Sequence, residues 1–185
     1  MEPDTALAAQ AAAGDRDAFG ALVERHQAAV RRLTRAVTGD AHDADDAAQD
    51  AFLSALDRID TYDASRPFGP WLMRIATNAS IDLVRRRAVR RADALDERAP
   101  ARGPSPALDA ESAEIRARLV TALAQLPERQ RVAVTLFDVE GYSHAEIAAV
   151  LEIPEGTVRS DVFHARRALR VALAVYDPGR PVEER

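Results

Sequence analysis

The stretch GTVRSDVFHARRAL, Gly156 to Leu169, decides the fold. At about 100° per residue, Val158, Val162, Ala165 and Leu169, continued by Leu173, fall within one arc. The opposite face carries Thr157, Ser160, His164 and Arg167, with Arg159 and Arg170 along one side and Asp161 along the other. Just upstream, Ser143 and Glu146 have the Ser-x-x-Glu spacing of a capping box. Ile147, Ala148 and Leu151 follow as the inner face of a short helix, Glu152 and Ile153 make a turn, and Pro154 opens the next helix. A capped helix, a tight turn and a second amphipathic helix form a helix-turn-helix, whose second helix enters the major groove with its N-terminal residues toward the base edges. The plain alternative is a helical hairpin with a solvated face.

Asp161 is the awkward residue, because phosphates repel a carboxylate. It lies at the edge of the predicted exposed face, and three readings compete. It accepts a hydrogen bond from a cytosine amino group, it pairs with His164 one turn on, or it is a solvated edge residue. In each case Arg159, Arg166, Arg167 and Arg170 keep the helix positive, so the aspartate modulates DNA binding rather than forbidding it.

The rest of the chain reads as all-α. Strand signals are nearly absent, and apolar residues recur at helical spacing. One helix is predicted over Asp17–Val37, with Phe19, Leu22, Val23, Val30, Leu33 and Val37 inward, ended at Gly39-Asp40. A second runs from Asp43 to Ile59, with Ala47, Phe52, Leu53, Leu56 and Ile59 inward. A third starts at Pro70, a favourable first helical position, and runs to Arg90 with Trp71, Ile75, Ala79, Ile81 and Leu83 on its stripe. Residues 92–112 hold three of the ten prolines and little large apolar content, which reads as a flexible linker. Helical periodicity resumes at Ile115. Leu119, Val120, Leu123 and Leu126 form one helix, closed by Pro127; Val132, Val134, Leu136, Phe137 and Val139 form another, closed by Gly141. The expected architecture is two small helical domains, 1–91 and 113–176, on a tether, with a disordered tail over 177–185.

Composition narrows the function. With 185 residues and 47% hydrophobic content, a sizeable core is accessible. The absence of cysteine excludes disulfides, thiolate zinc sites and a thiol nucleophile. His26, His42, His144 and His164 have no ligand spacing, and there is no phosphate-binding glycine loop or serine elbow. An enzyme is not expected, nor a cofactor. No segment approaches the length of apolar chain that spans a membrane, and the acidic N-terminus lacks a basic leader, so a soluble, cytoplasmic protein is expected.

The net charge of −5 hides an uneven distribution. Between Asp40 and Asp63 there are eight Asp and one Arg; between Arg74 and Arg91 there are six Arg and one Asp. Partners of both signs are implied. The acidic segment lacks the glycine and glutamate of a calcium loop. What remains is a solvated helix start, favoured by the dipole, or a docking face for a basic partner. The basic segment follows Phe68 and Trp71, and aromatics beside arginines suit single-stranded DNA, where bases stack on rings and phosphates meet guanidinium groups. Asn78 and Asp82 share a face and can hydrogen-bond base edges. The plain alternative makes Trp71 a core residue and the arginines an ordinary helix C-terminus.

These pieces, in this order, resemble a bacterial RNA polymerase sigma factor of the extracytoplasmic-function (ECF) group. GDRDAFGALV, DADDAAQDAFLSAL and PFGPWLMRIATNASIDLVRRR are similar to the family's region 2, and ALAQLPERQRVAVTLFDVEGYSHAEIAAVLEIPEGTVRSDVFHARRALR to its region 4. The resemblance implies that Asp43, Asp46, Gln49, Asp50 and Phe52 dock on the β′ clamp helices of core RNA polymerase, with region 4 at the β flap. It implies that the loop from Thr61 to Phe68, with Tyr62, Arg66, Phe68 and Trp71, captures a flipped base of the −10 element, and that Asn78, Asp82, Arg85 and Arg86 read −10 DNA. Thr157, Arg159, Ser160, Asp161, Phe163, His164 and Arg167 occupy the −35 reading positions. Promoter DNA and an anti-sigma factor are the further partners implied. The family usually has arginine where this chain has Asp161, and often where it has His164; Gly69 and Pro70 are also unusual before the tryptophan. Two rivals remain: a stand-alone helix-turn-helix regulator, and a polymerase-binding decoy whose −35 reading is spoiled by Asp161.

Overall fold

The computed structural model describes residues 2–94 and 110–174. The expected tail and most of the expected linker lie outside them. The helices are α1 (Asp4–Ala12), α2 (Arg16–Thr38), α3 (Ala41–Asp57), α4 (Phe68–Ala94), α5 (Ala110–Gln125), α6 (Glu128–Val134), α7 (His144–Leu151) and α8 (Glu155–Leu173). A short 3-10 turn, Ile59–Thr61, follows α3, and a π-helical turn, Thr135–Val139, continues α6. Among the described residues there is no strand.

Local chemistry sets most helix ends. Asp15 and Asp40 cap α2 and α3, each carboxylate accepting from two backbone amides of the first turn. A cap of this kind contributes about 1 kcal/mol. Gly39 ends α2 with φ +73°, a conformation open to glycine without strain. The capping box forms as expected: the Glu146 amide donates to Ser143 Oγ, while the Ser143 amide donates to the Glu146 carboxylate at 2.8 Å. Helix α4 opens at Phe68, two residues earlier than expected. Pro70 is then its third residue, still within the first turn, where a missing N–H leaves no bond unmade.

Helices α1–α4 form one group and α5–α8 the other. In α2 the stripe of Phe19, Leu22, Val30, Leu33 and Val37 is buried as predicted. In α3 the expected inner face is corrected. Ala44, Ala47, Ala48, Ala51 and Ala55 form the core stripe, whereas Leu53 is 54% exposed and Leu56 is also exposed. The alanine stripe lies against α2 and α4, and small side chains allow a helix to approach two neighbours closely. The leucines then fall on the outer side. Helix α1 was not anticipated, because its alanine-rich run has only weak amphipathicity. It is held by Leu7, Ala8 and Ala11 in the core and by Asp4, which accepts from Arg25 Nη1 and lies beside His26 Nε2, both at 2.8 Å. Helix α5 begins at Ala110, inside the stretch expected to be linker.

The two groups are not held apart. One apolar core runs through both, joining Leu22, Leu33, Phe68 and Leu72 to Val132, Leu136, Ile147, Val158 and Val162. A smaller cluster under α5 and α8 is built on Leu126, Val134 and Ala165. Helix α7 lies on α4, and α6 lies on α2. The junction is also polar: Arg131 donates to the Val37 carbonyl at 2.8 Å, and Arg32 makes a two-pronged pair with Glu140 at 2.7 and 2.8 Å.

Burial tends to raise the Asp4 carboxyl, but the hydrogen bonds and charges of Arg25 and His26 outweigh it and hold it below the ordinary carboxylate value. A depressed pKa contributes stability above the unfolded value that is lost as pH falls through the folded one. Asp4→Asn is therefore expected to cost about 1 kcal/mol at neutral pH, discounted because the pair is partly solvated. In urea titrations the gap to the wild type should close below the ordinary carboxylate range. A gap that persists in acid would show that the carboxylate charge is not what holds α1.

Candidate functional site

Three surfaces gather the candidate residues. The first is the outer face of α3. Asp46, Gln49 and Asp50 are exposed, and Leu53 continues the same face one turn on. Asp43 is half-buried and ion-paired with Arg87 of α4, while Phe52 packs against the core. The exposed face is thus Asp46, Gln49, Asp50 and Leu53, with Asp43 and Phe52 behind it. The leucine was missed because the helix reading counted large apolar residues as core; its signal was the competing alanine stripe.

The second surface lies at the start of α4. Tyr62, Phe68 and Trp71 form a ring cluster with centroid separations of 5.3–5.4 Å, and His26 lies against Phe68 at 5.4 Å. Phe68 is only 2% exposed, so its expected contact with DNA is corrected: it is the floor on which the other two rings rest. The Tyr62 hydroxyl donates to the Arg66 carbonyl at 2.5 Å and shapes the loop. Tyr62, Arg66, Trp71 and Arg74 line a cleft of about 530 Å³. Further along α4, Asn78, Asp82, Arg85 and Arg86 are exposed. Asn78 lines a smaller cleft with Arg129 and Glu152.

The third surface is α8. Arg159, Ser160, Phe163, His164 and Arg167 are exposed and Thr157 is half-buried. Phe163, 62% exposed, meets the His164 ring edge-on at 5.5 Å. Arg159 pairs with Glu155 at 2.7 Å. Arg166 is tied to Asp138, with its Nε 2.8 Å from Oδ2, and lies 4.9 Å over the Phe137 ring.

Asp161 is the principal correction. It is 3% exposed and does not belong to the outer face. Its carboxylate accepts from Arg129 of α6, Nε at 2.5 Å and Nη2 at 3.3 Å. The hydrogen bond, with the carboxylate charge, raises the Arg129 guanidinium above its ordinary value. None of the three sequence readings holds: the residue meets neither solvent nor His164, and it is withdrawn from the groove-facing side. A charge buried on one partner and neutralised by a half-exposed guanidinium is a structural pair that orients α8 on α6.

A family model described as Sigma-70 region 2 matches residues 22–90, and one described as Sigma-70, region 4 matches 116–169. Among curated proteins, the ECF RNA polymerase sigma factor SigM of Mycobacterium tuberculosis is 36% identical over 95% of this chain and 87% of its own length. The chain belongs to the ECF sigma factor family. The ECF sigma factor SigE of Mycolicibacterium smegmatis is 40% identical over 83% of this chain, which spans 60% of SigE. Among solved structures, CnrH in complex with the cytosolic domain of CnrY superposes with a TM-score of 0.74 at 32% identity, covering 95% of this chain and 99% of that one. Helices α2–α4 are therefore region 2, and α5–α8 region 4. Among the described residues no helix is long and apolar enough to cross a membrane, and no cluster suited to a metal ion occurs.

Asp161→Arg places a cation against Arg129 in a buried position and should cost more than about 2 kcal/mol. Thermal melts followed by circular dichroism should show region 4 losing stability, with Arg129→Glu restoring part of it. A mutant that melts like the wild type and merely changes promoter preference would mean that Asp161 reads bases after all.

Proposed function

We propose that this chain docks on core RNA polymerase and directs it to promoters, with region 2 taking the melted −10 strand and region 4 the duplex −35 element. The single observation that carries this reading is the presence, on one family member, of three separate solvent-facing surfaces of matched chemistry: an acidic face on α3, a ring-lined cleft leading into a basic helix, and an exposed recognition helix.

Asp46, Gln49 and Asp50 meet the basic β′ clamp helices, with Leu53 adding apolar contact at the centre of the patch. Asp43 serves from behind, its pair with Arg87 joining the docking helix to the −10 helix. Tyr62 and Trp71 accept an unstacked base, at about 1–3 kcal/mol per stacked ring, while Arg66, Arg85 and Arg86 meet phosphates and Asn78 and Asp82 meet base edges. On α8, Thr157, Arg159, Ser160, His164 and Arg167 approach the major groove, and Phe163 offers its ring to a thymine methyl. Region 4 rests at the β flap. The protein itself does no chemistry; polymerase catalyses, and this chain supplies binding energy and position. It works in the cytoplasm, and an anti-sigma protein restrains it, a reading supported by the similar solved structure of the sigma factor RpoE in complex with the anti-sigma factor NepR from Bartonella quintana. The decoy reading loses its motive, since Asp161 is folded inward and leaves the outer face of α8 unspoiled.

Run-off transcription with purified core polymerase on genomic fragments tests the proposal: specific start sites should appear only when the protein is present. The double variant Asp46→Arg with Asp50→Arg should weaken core binding at least about tenfold, and more steeply at low salt, with helicity unchanged. Anisotropy measurements returning wild-type affinity for that variant would remove α3 as the docking face.

A further inference from the structure

His26 interrupts the buried stripe of α2, one turn after Leu22 and one turn before Val30. Its side chain is only 16% exposed, and a ring nitrogen so placed needs a partner. Asp4 of α1 supplies one, its carboxylate lying 2.8 Å from Nε2. An ionised carboxylate only accepts, so Nε2 carries the proton and donates. The same carboxylate accepts from Arg25 Nη1 at 2.8 Å, and that nitrogen also donates to the Glu2 carbonyl at 2.6 Å. Asp4 is therefore held in place, and it holds the plane of the imidazole, which the soft outer torsion of a histidine would otherwise leave free.

The ring so fixed faces Phe68, with centroids 5.4 Å apart and planes at 53°. Phe68 is 2% exposed, and Tyr62 meets it edge-on at 5.3 Å and Trp71 at 5.4 Å. Attraction between rings at these separations depends on their orientation, so moving one ring moves the seat of the next. Gly69 adds no side chain to this floor; a Cβ there would come within 2.6 Å of the Tyr142 hydroxyl. Helix α1 also lies on the 3-10 turn Ile59–Thr61, which leads directly into Tyr62. The loop 61–68 is thus braced at both ends from one helix: at its start through the turn, at its end through His26 and Phe68. The charge of Asp4 is felt at the cleft as well. Burial first, then the charges of Asp4 and Asp63, raise the Tyr62 phenol above its ordinary value, which keeps its hydroxyl a donor to the Arg66 carbonyl.

We propose that Asp4 and His26 are positioning residues for −10 base capture: the α1 carboxylate holds the His26 ring against Phe68, and Phe68 sets the Tyr62 and Trp71 rings in the geometry that receives an unstacked base. Neither residue touches DNA. The inference rests on the base-capture reading of the cleft, and it gives α1, which carries none of the three candidate surfaces, a part in opening the promoter.

Trp71 is the only tryptophan of the chain, so its emission reports the ring cluster directly. In the full-length chain, His26→Ala and Asp4→Ala should each shift that emission to the red and increase its quenching by acrylamide. Val37→Ala, which empties part of the core at the far end of α2, should leave both unchanged. With core polymerase, promoter opening is followed by 2-aminopurine placed in the −10 element of a start site located by run-off transcription. His26→Ala and Asp4→Ala should each slow opening about fivefold or more, as a weakened stacking platform requires, with affinity for core polymerase unchanged. The double variant should open no more slowly than the slower single one, because the two residues act in series. His26→Phe keeps a ring against Phe68 without needing the carboxylate; it should open like the wild type, and adding Asp4→Ala to it should change nothing further. Wild-type opening rates in both alanine variants, additive losses in the double one, or an equal loss in Val37→Ala would overturn the proposal. The parent reading fails separately: a wild-type chain that gives no specific start sites removes the sigma-factor function whatever Trp71 does, whereas specific transcripts with Trp71 emission unmoved in the variants remove only the roles of Asp4 and His26.

Discussion

Arg131 holds the molecule's joint. From α6 its guanidinium donates to the carbonyls of Val37 at the end of α2, and of Ala124 and Leu126 at the end of α5, at 2.8–3.1 Å. The last carbonyls of a helix lack partners within it, and the dipole makes them favourable for a cation. One side chain therefore satisfies two helix ends from different domains. The fit is incomplete, since Nε is buried without a partner, and burial pulls the guanidinium below its ordinary value. With α6 set against α2, the π-helical turn that follows delivers Glu140 to Arg32 and Tyr142 to Gly69. The position of α7 over α4 follows from that joint.

The arginine content of region 4 is spent largely on internal order. Arg129 fixes Asp161, Arg166 fixes Asp138, and Arg159 is tied to Glu155 along its own helix. Helix α8 presents fewer unengaged cations than a count of its arginines implies, with Phe163 and His164 prominent on its face. In the proposed reading of duplex DNA, groove recognition there would lean on shape and apolar contact as much as on charge, and the overall acidity of the chain would limit binding to DNA without a specific site.

Region 2 is organised around small residues. The alanine stripe of α3 lets three helices approach closely, which leaves Leu53 and Leu56 outside and places an apolar patch beside the aspartates. Apolar area flanked by charge suits the docking role proposed for this face better than a solvated helix start does. The Asp43–Arg87 pair then ties that surface to the basic helix next to it.

Much of this was legible in the sequence because it is set by local periodicity and by caps. The helix-turn-helix, the Ser143–Glu146 box, the Gly39 stop and the buried stripe of α2 need only neighbours within a few residues, and the ordered motifs were enough to place the chain in its family. Residues whose meaning depends on a partner far along the chain were not legible. Asp161 was read from a helical wheel, which separates inside from outside but cannot see Arg129 thirty-two positions away. Leu53 was assigned inward by size, although its exposure is decided by how closely alanines let α2 and α4 approach. Gly69 stood out only as a departure; that it seats Tyr142 follows from the packing of α7 on α4. Reading along the chain reached most of the helices, though not α1 or the start of α5, and the chemistry of most of their faces, because hydrogen bonding within a turn and the period of the apolar residues are local properties. Which charges are neutralised inside and which surfaces are covered had to await the folded chain, because burial depends on contacts between segments that come together only on folding.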